Sequence, residues 1–386
     1  MEIALYDAEA GYYARAAQRS GRAGDFFTSV DVGPVFGELL EIQLAEMANI
    51  LTTINAESAE HAEKPPNVSA HSASSAFNVV DLVEAGAGNG RLSADVLRAA
   101  RRRDPAFYDR VRLHLVDASP AARAAQRDVL GGLCERLASS SADLPASFEG
   151  VLFANELLDA LPVHQVVMRE DGLREVYVDL ARDAATLRTF EGPPSTPALA
   201  AYLDRLGIAL EAGWRVEINL RASEWIRMAA RRLARGFIIV IDYGHEAREL
   251  YSVTHSRGTL TTFARHTMAG PERPAEAPAW LEDAGDHDIT THVDFTSVRM
   301  AAEAEGMTTI GFLDQTYFLL GLLRCRESFA VSATEATEVA DLANDSRHLK
   351  TLLMPGGLGS THKVLILGKG VGAPALAGCS YRMRVT

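Results

Sequence analysis

The sequence predicts an α/β protein of the doubly wound class, on three observations. Between residues 77 and 155, short β-rich apolar runs alternate with amphipathic helical stretches. A glycine-rich turn joins the first of these runs to the first of these helices. The chain has 386 residues and 47% hydrophobic content, ample for a large buried core. A β-α-β-α-β order implies a parallel sheet with right-handed crossovers.

Taken in order, residues 1–32 mix turn residues with aromatics and read as a loop-rich arm. Apolar residues then recur at helical spacing from Val35 to Ile54, with Pro34 suited to the first turn. Residues 55–76 are polar, low in complexity and contain proline, the composition of a surface insertion. FNVVDLVE (77–84) is the first core strand, GAGNG the turn and RLSADVLRAARRR (91–103) its helix. VRLHLVD (111–117) is the next strand, followed by a helix with Ser119 as cap and Pro120 in its first turn. FEGVLFAN (148–155) is the third strand of the alternation.

Beyond it the rhythm breaks. Residues 164–180 read as a hairpin turning at Asp171–Gly172. Residues 196–212 and 221–235 read as helices, and GFIIVIDYG (236–244) as a central strand because it is the most apolar. Residues 245–293 are irregular and, at that length, functional or disordered. DFTSVRMAAEAEG (294–306) is helical and HKVLILGKG (362–370) is the last strand. The organisation expected is an arm and helix over 1–54 covering a cofactor site, an insertion over 55–76, and a main domain over 77–386. That main domain carries insertions at 163–212 and 245–293.

A net charge of −13 opposes nucleic acid as the main partner. Three dispersed cysteines, Cys134, Cys325 and Cys379, form neither a disulfide framework nor a zinc spacing and suit a reducing compartment. No apolar run is long enough for a membrane span. The opening residues lack the basic and apolar regions of a secretory signal. The expected location is cytoplasmic, or the mitochondrial matrix should a presequence precede this chain; a homodimer is the candidate assembly.

The densest signal is Glu84-Ala85-Gly86-Ala87-Gly88-Asn89-Gly90. It falls where a doubly wound sheet holds its ligand, between the first strand and its helix. The spacing is G-x-G-x-G rather than the dinucleotide G-x-G-x-x-G, and an acid precedes it. A carboxylate repels a pyrophosphate but suits a cationic ammonium. S-adenosylmethionine offers an ammonium, a sulfonium and a ribose, and no phosphate, so it is the ligand favoured over NAD. Asp117, closing the next strand, is the candidate acceptor for the ribose hydroxyls, with Ser119 beside it as the helix cap.

The strand 148–155 ends in Asn155-Glu156-Leu157-Leu158-Asp159. In this fold that strand end faces the methyl donor, which makes Asn155 a cofactor contact. Methyl transfer is an in-line displacement, and positioning alone supplies roughly 7–11 kcal/mol of such a barrier. Glu156 and Asp159 are the candidate catalytic acids, able to hold a guanidinium bidentately and localise its charge. The plainer role weighed for Asp159 is capping a following helix. Asp242, Tyr243 and His292 are candidates for the substrate side. HDITTHVDF packs His287, Asp288, His292 and Asp294 into one stretch, but no ligand spacing there is compelling and no metal is expected.

With these residues in place, the chain resembles the MidA-type family of S-adenosylmethionine-dependent protein arginine methyltransferases, whose mitochondrial members assist assembly of respiratory complex I. The resemblance rests on GYY (11–13), GRAGDFFTS (21–29), FGELL (36–40), EAGAGNGRL (84–92), ANELLDALPVH (154–164), IDYG (241–244), RGTL (257–260), DITTHVDF (288–295) and KVLILGKG (363–370). It implies a class I methyltransferase Rossmann-like sheet with an added, mostly helical subdomain. It implies that the GDFFTS arm lies over the cofactor, with Thr28 and Ser29 near it. The implied substrate is an arginine of a partner protein, a complex I subunit in mitochondria, and the implied product is symmetric dimethylarginine. A non-catalytic assembly factor that keeps the cofactor fold and a small-molecule methyltransferase are the other readings.

Overall fold

The computed structural model describes residues 1–14, 28–61, 79–181, 186–264, 267–271, 278–330, 348–353 and 361–381. The chain divides into two compact units. One comprises Thr28–Asn155, Ala229–Ile241 and Gly306–Thr386; the other comprises Met1–Phe27, Glu156–Met228 and Asp242–Glu305.

The first unit is built on β1 (Val80–Ala85), β2 (Val111–Val116), β3 (Leu137–Ser141) and β4 (Phe148–Asn155). These are joined by the sheet portion of a strand running Leu233–His245, by Thr308–Asp314 and by His362–Lys369. In chain order those three are β9, β14 and β15, once β5–β8 and β10–β13 of the second unit are counted. The sheet order is β14-β15-β9-β4-β1-β2-β3. Pairs β1–β2, β1–β4, β2–β3 and β4–β9 are parallel, and β14–β15 is antiparallel. All six residues of β1 are buried, as a strand covered on both faces requires. The helix Arg91–Arg103 matches the sequence reading residue for residue, and Ser119 caps Pro120–Leu130 by accepting from Ala122 N.

One apolar cluster fills this unit. Phe36, Leu39 and Leu40 of the helix Val35–His61 pack with Leu82, Val96, Leu113, Phe153, Ile239 and Ile366. Each such side chain contributes about 1.5–3 kcal/mol of burial. The helix outruns the expected end at Ile54 by two turns, to His61, so the polar insertion begins as helix. Its remaining residues lie outside the described ones. Strand β3, LASSS, was not expected; its small polar residues alternate between half-buried and exposed and carry no apolar signature.

The second unit holds the expected helices, Ala198–Leu206 and Phe295–Glu303 among them, together with two antiparallel sheets. One orders β5 (His164–Arg169), β6 (Gly172–Leu180), β7 (Leu187–Gly192) and β8 (Arg215–Ile218) as β7-β6-β5-β8. The other orders β10 (Thr261–Ala264), β11 (Thr267–Ala269) and β12 (Asp288–Thr290) as β11-β10-β12. The stretch 245–293, expected to be irregular, therefore contains strands. The hairpin turns one residue earlier than expected, at Glu170–Asp171, because Arg169 pairs with Gly172. The helix expected over 196–212 stops at Leu206, where Gly207 adopts the left-handed C-terminal conformation. The short β13 (Val293–Asp294) pairs with the last residues of β9.

Candidate active site

Register fixes the edge from which the cofactor-side residues emerge. Ala85 pairs with Val116 on one side and Ala154 on the other, so Gly86, Asp117 and Asn155 leave the sheet at one level. The backbone N–H groups of Gly86 and Ala87 donate to the Val116 carbonyl at 2.9 and 3.0 Å, which folds the turn back over β2. Gly88 N–H then donates to Asp117 Oδ2 at 2.7 Å, and Ser119 N–H to Asp117 Oδ1 at 2.8 Å. Asp117 thus holds the turn and the next helix entrance. Burial raises its pKa despite those two bonds.

Gly88 has φ +51°, and among the described residues a Cβ there would meet nothing within 4 Å. The turn leaves open space in front of it. Gly90 has φ +83° and a Cβ there would press on Leu115 at 3.1 Å, so it serves close packing. Glu84 is 4% exposed. Its Oε2 accepts from Ser93 N–H at 3.2 Å and from the Ser93 hydroxyl. Burial lifts its pKa to about 8; the Ser93 bonds pull it down, and the neighbouring Asp117 and Asp95 push it up. A buried acid among acids favours a cationic ligand group, since a positive charge restores its ionised form.

Thr28 and Ser29 lie in this same unit and are buried. Thr28 donates from its N–H and its hydroxyl to Asp31 Oδ2, at 3.0 and 2.9 Å. Gln315 Nε2 donates to Ser29 Oγ at 3.1 Å. Asp31 pairs with Arg91, the residue that follows Gly90. The end of the arm is therefore latched to the start of the helix behind the glycine turn. The preceding part of the arm, 21–27, lies outside the described residues. Asp31, Arg91, Ser93 and Gln126 were not singled out from sequence. Gln126 is fully buried; it donates to the Gly88 carbonyl at 2.9 Å and accepts from Ser140 at 2.6 Å. Only Ser93, polar on the inner face of an amphipathic helix, left a readable signal.

The acidic stretch belongs to the second unit. Glu156 immediately follows β4 and has φ +51°, a backbone conformation rare outside glycine. Asp242 is fully buried; its Oδ2 accepts from Leu157 and Leu158 N–H at 3.1 and 2.8 Å, and its Oδ1 from Tyr243 N–H at 2.8 Å. It thereby fixes the backbone just after Glu156. Burial, then the charge of Asp159, raise the Asp242 pKa. No helix follows Asp159, so the capping role is replaced. Its Oδ2 accepts from Thr290 at 2.7 Å and its carbonyl from Thr291 N–H at 3.1 Å. Burial chiefly, and the charges of Glu156, Asp159 and Asp242, raise the Tyr243 pKa.

The GYY motif serves the same unit. Tyr13 donates to Asp288 Oδ1 at 2.8 Å, and Tyr6 to the Ala160 carbonyl at 3.0 Å. Asp294 caps Phe295–Glu303 and accepts from Tyr202 at 2.6 Å. His292 is grouped with His245 and His255, with ring centroids 5.2 and 5.8 Å away.

A family model described as "Putative S-adenosyl-L-methionine-dependent methyltransferase" matches residues 67–313. The chain belongs to that family. It is 27% identical to the mitochondrial protein arginine methyltransferase NDUFAF7 homolog of Drosophila melanogaster, over 96% of this chain and 80% of that protein. It is 26% identical to the human mitochondrial protein arginine methyltransferase NDUFAF7, over 83% of this chain and 68% of that one. Among solved structures it resembles a Burkholderia thailandensis protein bound to S-adenosyl-homocysteine, with TM-score 0.81 and 27% identity. That match covers 100% of this chain and 90% of the other. The chain is thus an S-adenosylmethionine-dependent methyltransferase. The open space at Gly88 and the buried acid Glu84 fit that cofactor, which carries an ammonium and no phosphate. Among the described residues no helix is long and apolar enough to cross a membrane.

Proposed function

We propose that this methyltransferase modifies arginine side chains of a partner protein, with symmetric dimethylarginine as the product. The observation that carries the reading is the tethered acidic stretch Glu156–Asp159. Glu156 is held at a strained φ of +51° while Asp242 takes the next two N–H groups and Thr290 holds Asp159. Strain of this kind costs on the order of 1–3 kcal/mol and persists where function requires it. A held Asp159 carboxylate, with Glu156 carried beside it on a fixed backbone, matches a planar guanidinium, which is cationic and donates in a fork. The names of the relatives support the same reading.

S-adenosylmethionine, when bound, supplies an electrophilic methyl group. In our reading Glu84, Asp117, Asn155 and the glycines Gly86, Gly88 and Gly90 bind it, with Thr28 and Ser29 closing beside the turn. Glu156 binds the guanidinium and localises its positive charge on the far nitrogens, so that the reacting nitrogen keeps its lone pair. Asp159 shares that binding and accepts the proton released as the new N–C bond forms. Asp242 positions both acids through the backbone, and Tyr243 stands on the substrate side.

The test is incubation of the full chain with isotopically labelled S-adenosylmethionine and cell proteins, followed by hydrolysis and mass spectrometry of the amino acids. Labelled methylarginine is expected. Glu156→Gln should keep S-adenosylhomocysteine binding and lose transfer by roughly a hundredfold or more, the scale of a positioned acid-base group. Label on another residue or on small molecules only, or full transfer by the variant, contradicts the proposal.

A further inference from the structure

Three histidines that no sequence spacing linked meet at one place in the second unit. His245 ends β9, His255 closes the 3-10 turn Val253–His255, and His292 precedes β13. One nitrogen from each lies within 4.8 Å of the others. The ring centroids of His245 and His255 are 4.8 Å apart, and those of His245 and His292 5.2 Å.

The rings are set up as lone-pair donors. His292 Nδ1 is buried with no hydrogen-bond partner among the described residues, a cost that a metal bond removes. His255 Nδ1 meets the Glu249 carbonyl at 3.0 Å, and His245 Nδ1 lies 3.0 Å from the Glu249 carboxylate. A carbonyl on Nδ1 of His255 fixes that ring's tautomer with Nε2 as the lone-pair donor, the outer-shell arrangement that metal-binding histidines use. Glu249 thus lies against both rings. The His292 N–H donates to Thr259 Oγ1 at 3.0 Å, which anchors the third ring's backbone.

We propose that His245, His255 and His292 bind a divalent transition-metal ion of the zinc class, which fastens the 245–293 segment to the end of β9. Imidazole nitrogens select such ions over calcium or magnesium. Bonds of about 2.0–2.1 Å at tetrahedral angles bring ligand nitrogens to roughly 3.3 Å. The closure falls to His255, whose turn is at the surface, with Val253 74% exposed. Three protein ligands leave a fourth position for water. The segment so fastened also carries Thr290, the partner of Asp159, so the metal steadies a candidate catalytic acid without belonging to the transfer chemistry.

The test uses the full chain without a histidine tag. Zn2+ and Co2+ are titrated into protein stripped with a chelator and dialysed. Binding is read by calorimetry, by metal content and by the visible absorption of Co2+. One equivalent is expected, with the intense absorption of four-coordinate cobalt and a raised melting temperature. His255→Ala, a surface change that keeps the fold, should weaken binding at least about tenfold, the low end of what even an outer-shell change costs. Glu249→Gln should weaken it less. Absence of stoichiometric binding by folded wild-type protein overturns the proposal, as does undiminished binding by both His255→Ala and His292→Ala.

Discussion

Glu84 shows how burial, reinforced by neighbouring acids, prepares a residue for a charged ligand. Its carboxyl is pressed against Ser93, and its pKa stands near 8 where an exposed glutamate has 4.5. The folded-state pKa lies above the unfolded one. The stabilising contribution of the protonated acid is therefore complete below about pH 4.5 and is lost as pH rises through about 8. Binding of the cofactor's ammonium requires the ionised acid, so affinity changes in the opposite sense. S-adenosylhomocysteine should bind up to about tenfold more tightly per pH unit as pH rises from about 6 to 8. Calorimetry across that range tests this. Glu84→Gln should abolish both trends and bind at least about tenfold more weakly, since it loses a charge-assisted contact worth about 1.5–3 kcal/mol. A variant whose affinity matches wild type at every pH refutes the assignment.

Elements here are tied together by side chains that meet backbone. Asp31 takes two donors from Thr28 and one charge from Arg91, and its side chain is almost wholly buried. Asp31→Ala should leave the Thr28 N–H and hydroxyl without an acceptor, lower stability by about 1–3 kcal/mol and weaken cofactor binding. Urea midpoints and calorimetry measure the two separately, and loss of neither removes the latch. Asp242→Ala should cost at least as much, because three N–H groups lose their acceptor. Its methyl transfer should fall further than its cofactor affinity, since it supports the stretch that starts at Glu156. Equal losses in both would place Asp242 in the general stability of the fold.

The same ties explain what the sequence made legible. The helix 91–103 and the glycine turn are written in local periodicity and in φ requirements, so they were readable residue by residue, and the core strand runs were readable to within a few residues at their ends. Thr28 and Ser29 could be placed only through resemblance to a family. Asp242 read as a substrate-side candidate at a strand end, and its hold on the backbone after Glu156 was not readable because its three backbone donors come from the folded chain. Strand β3 was silent, since LASSS has no apolar alternation. The three histidines come from separate segments, so nothing in their spacing could join them.

At the scale of the molecule, two compact units divide the candidate residues. The cofactor-side set from Thr28 to Asn155 lies in one unit, and Glu156, Asp159, Asp242, Tyr243 and His292 lie in the other. Covalent continuity from Asn155 to Glu156 joins them along the chain. A net charge of −13 gives the whole protein an attraction for basic partners. Methylation of an arginine-rich protein substrate should therefore slow as salt is raised from about 0.01 to 0.15 M, which shortens the Debye length from about 30 to about 8 Å. A rate indifferent to salt argues for a small neutral substrate.

The most direct measurement of the central claim is calorimetric titration of the folded protein with S-adenosylhomocysteine, beside Gly88→Val. Wild type should bind one equivalent with micromolar affinity. The valine should fold with a penalty of about 1–2 kcal/mol for its positive φ, fill the open space before Gly88 and show no binding. Affinity unchanged by Gly88→Val in a folded variant, or no binding by wild type, contradicts the account.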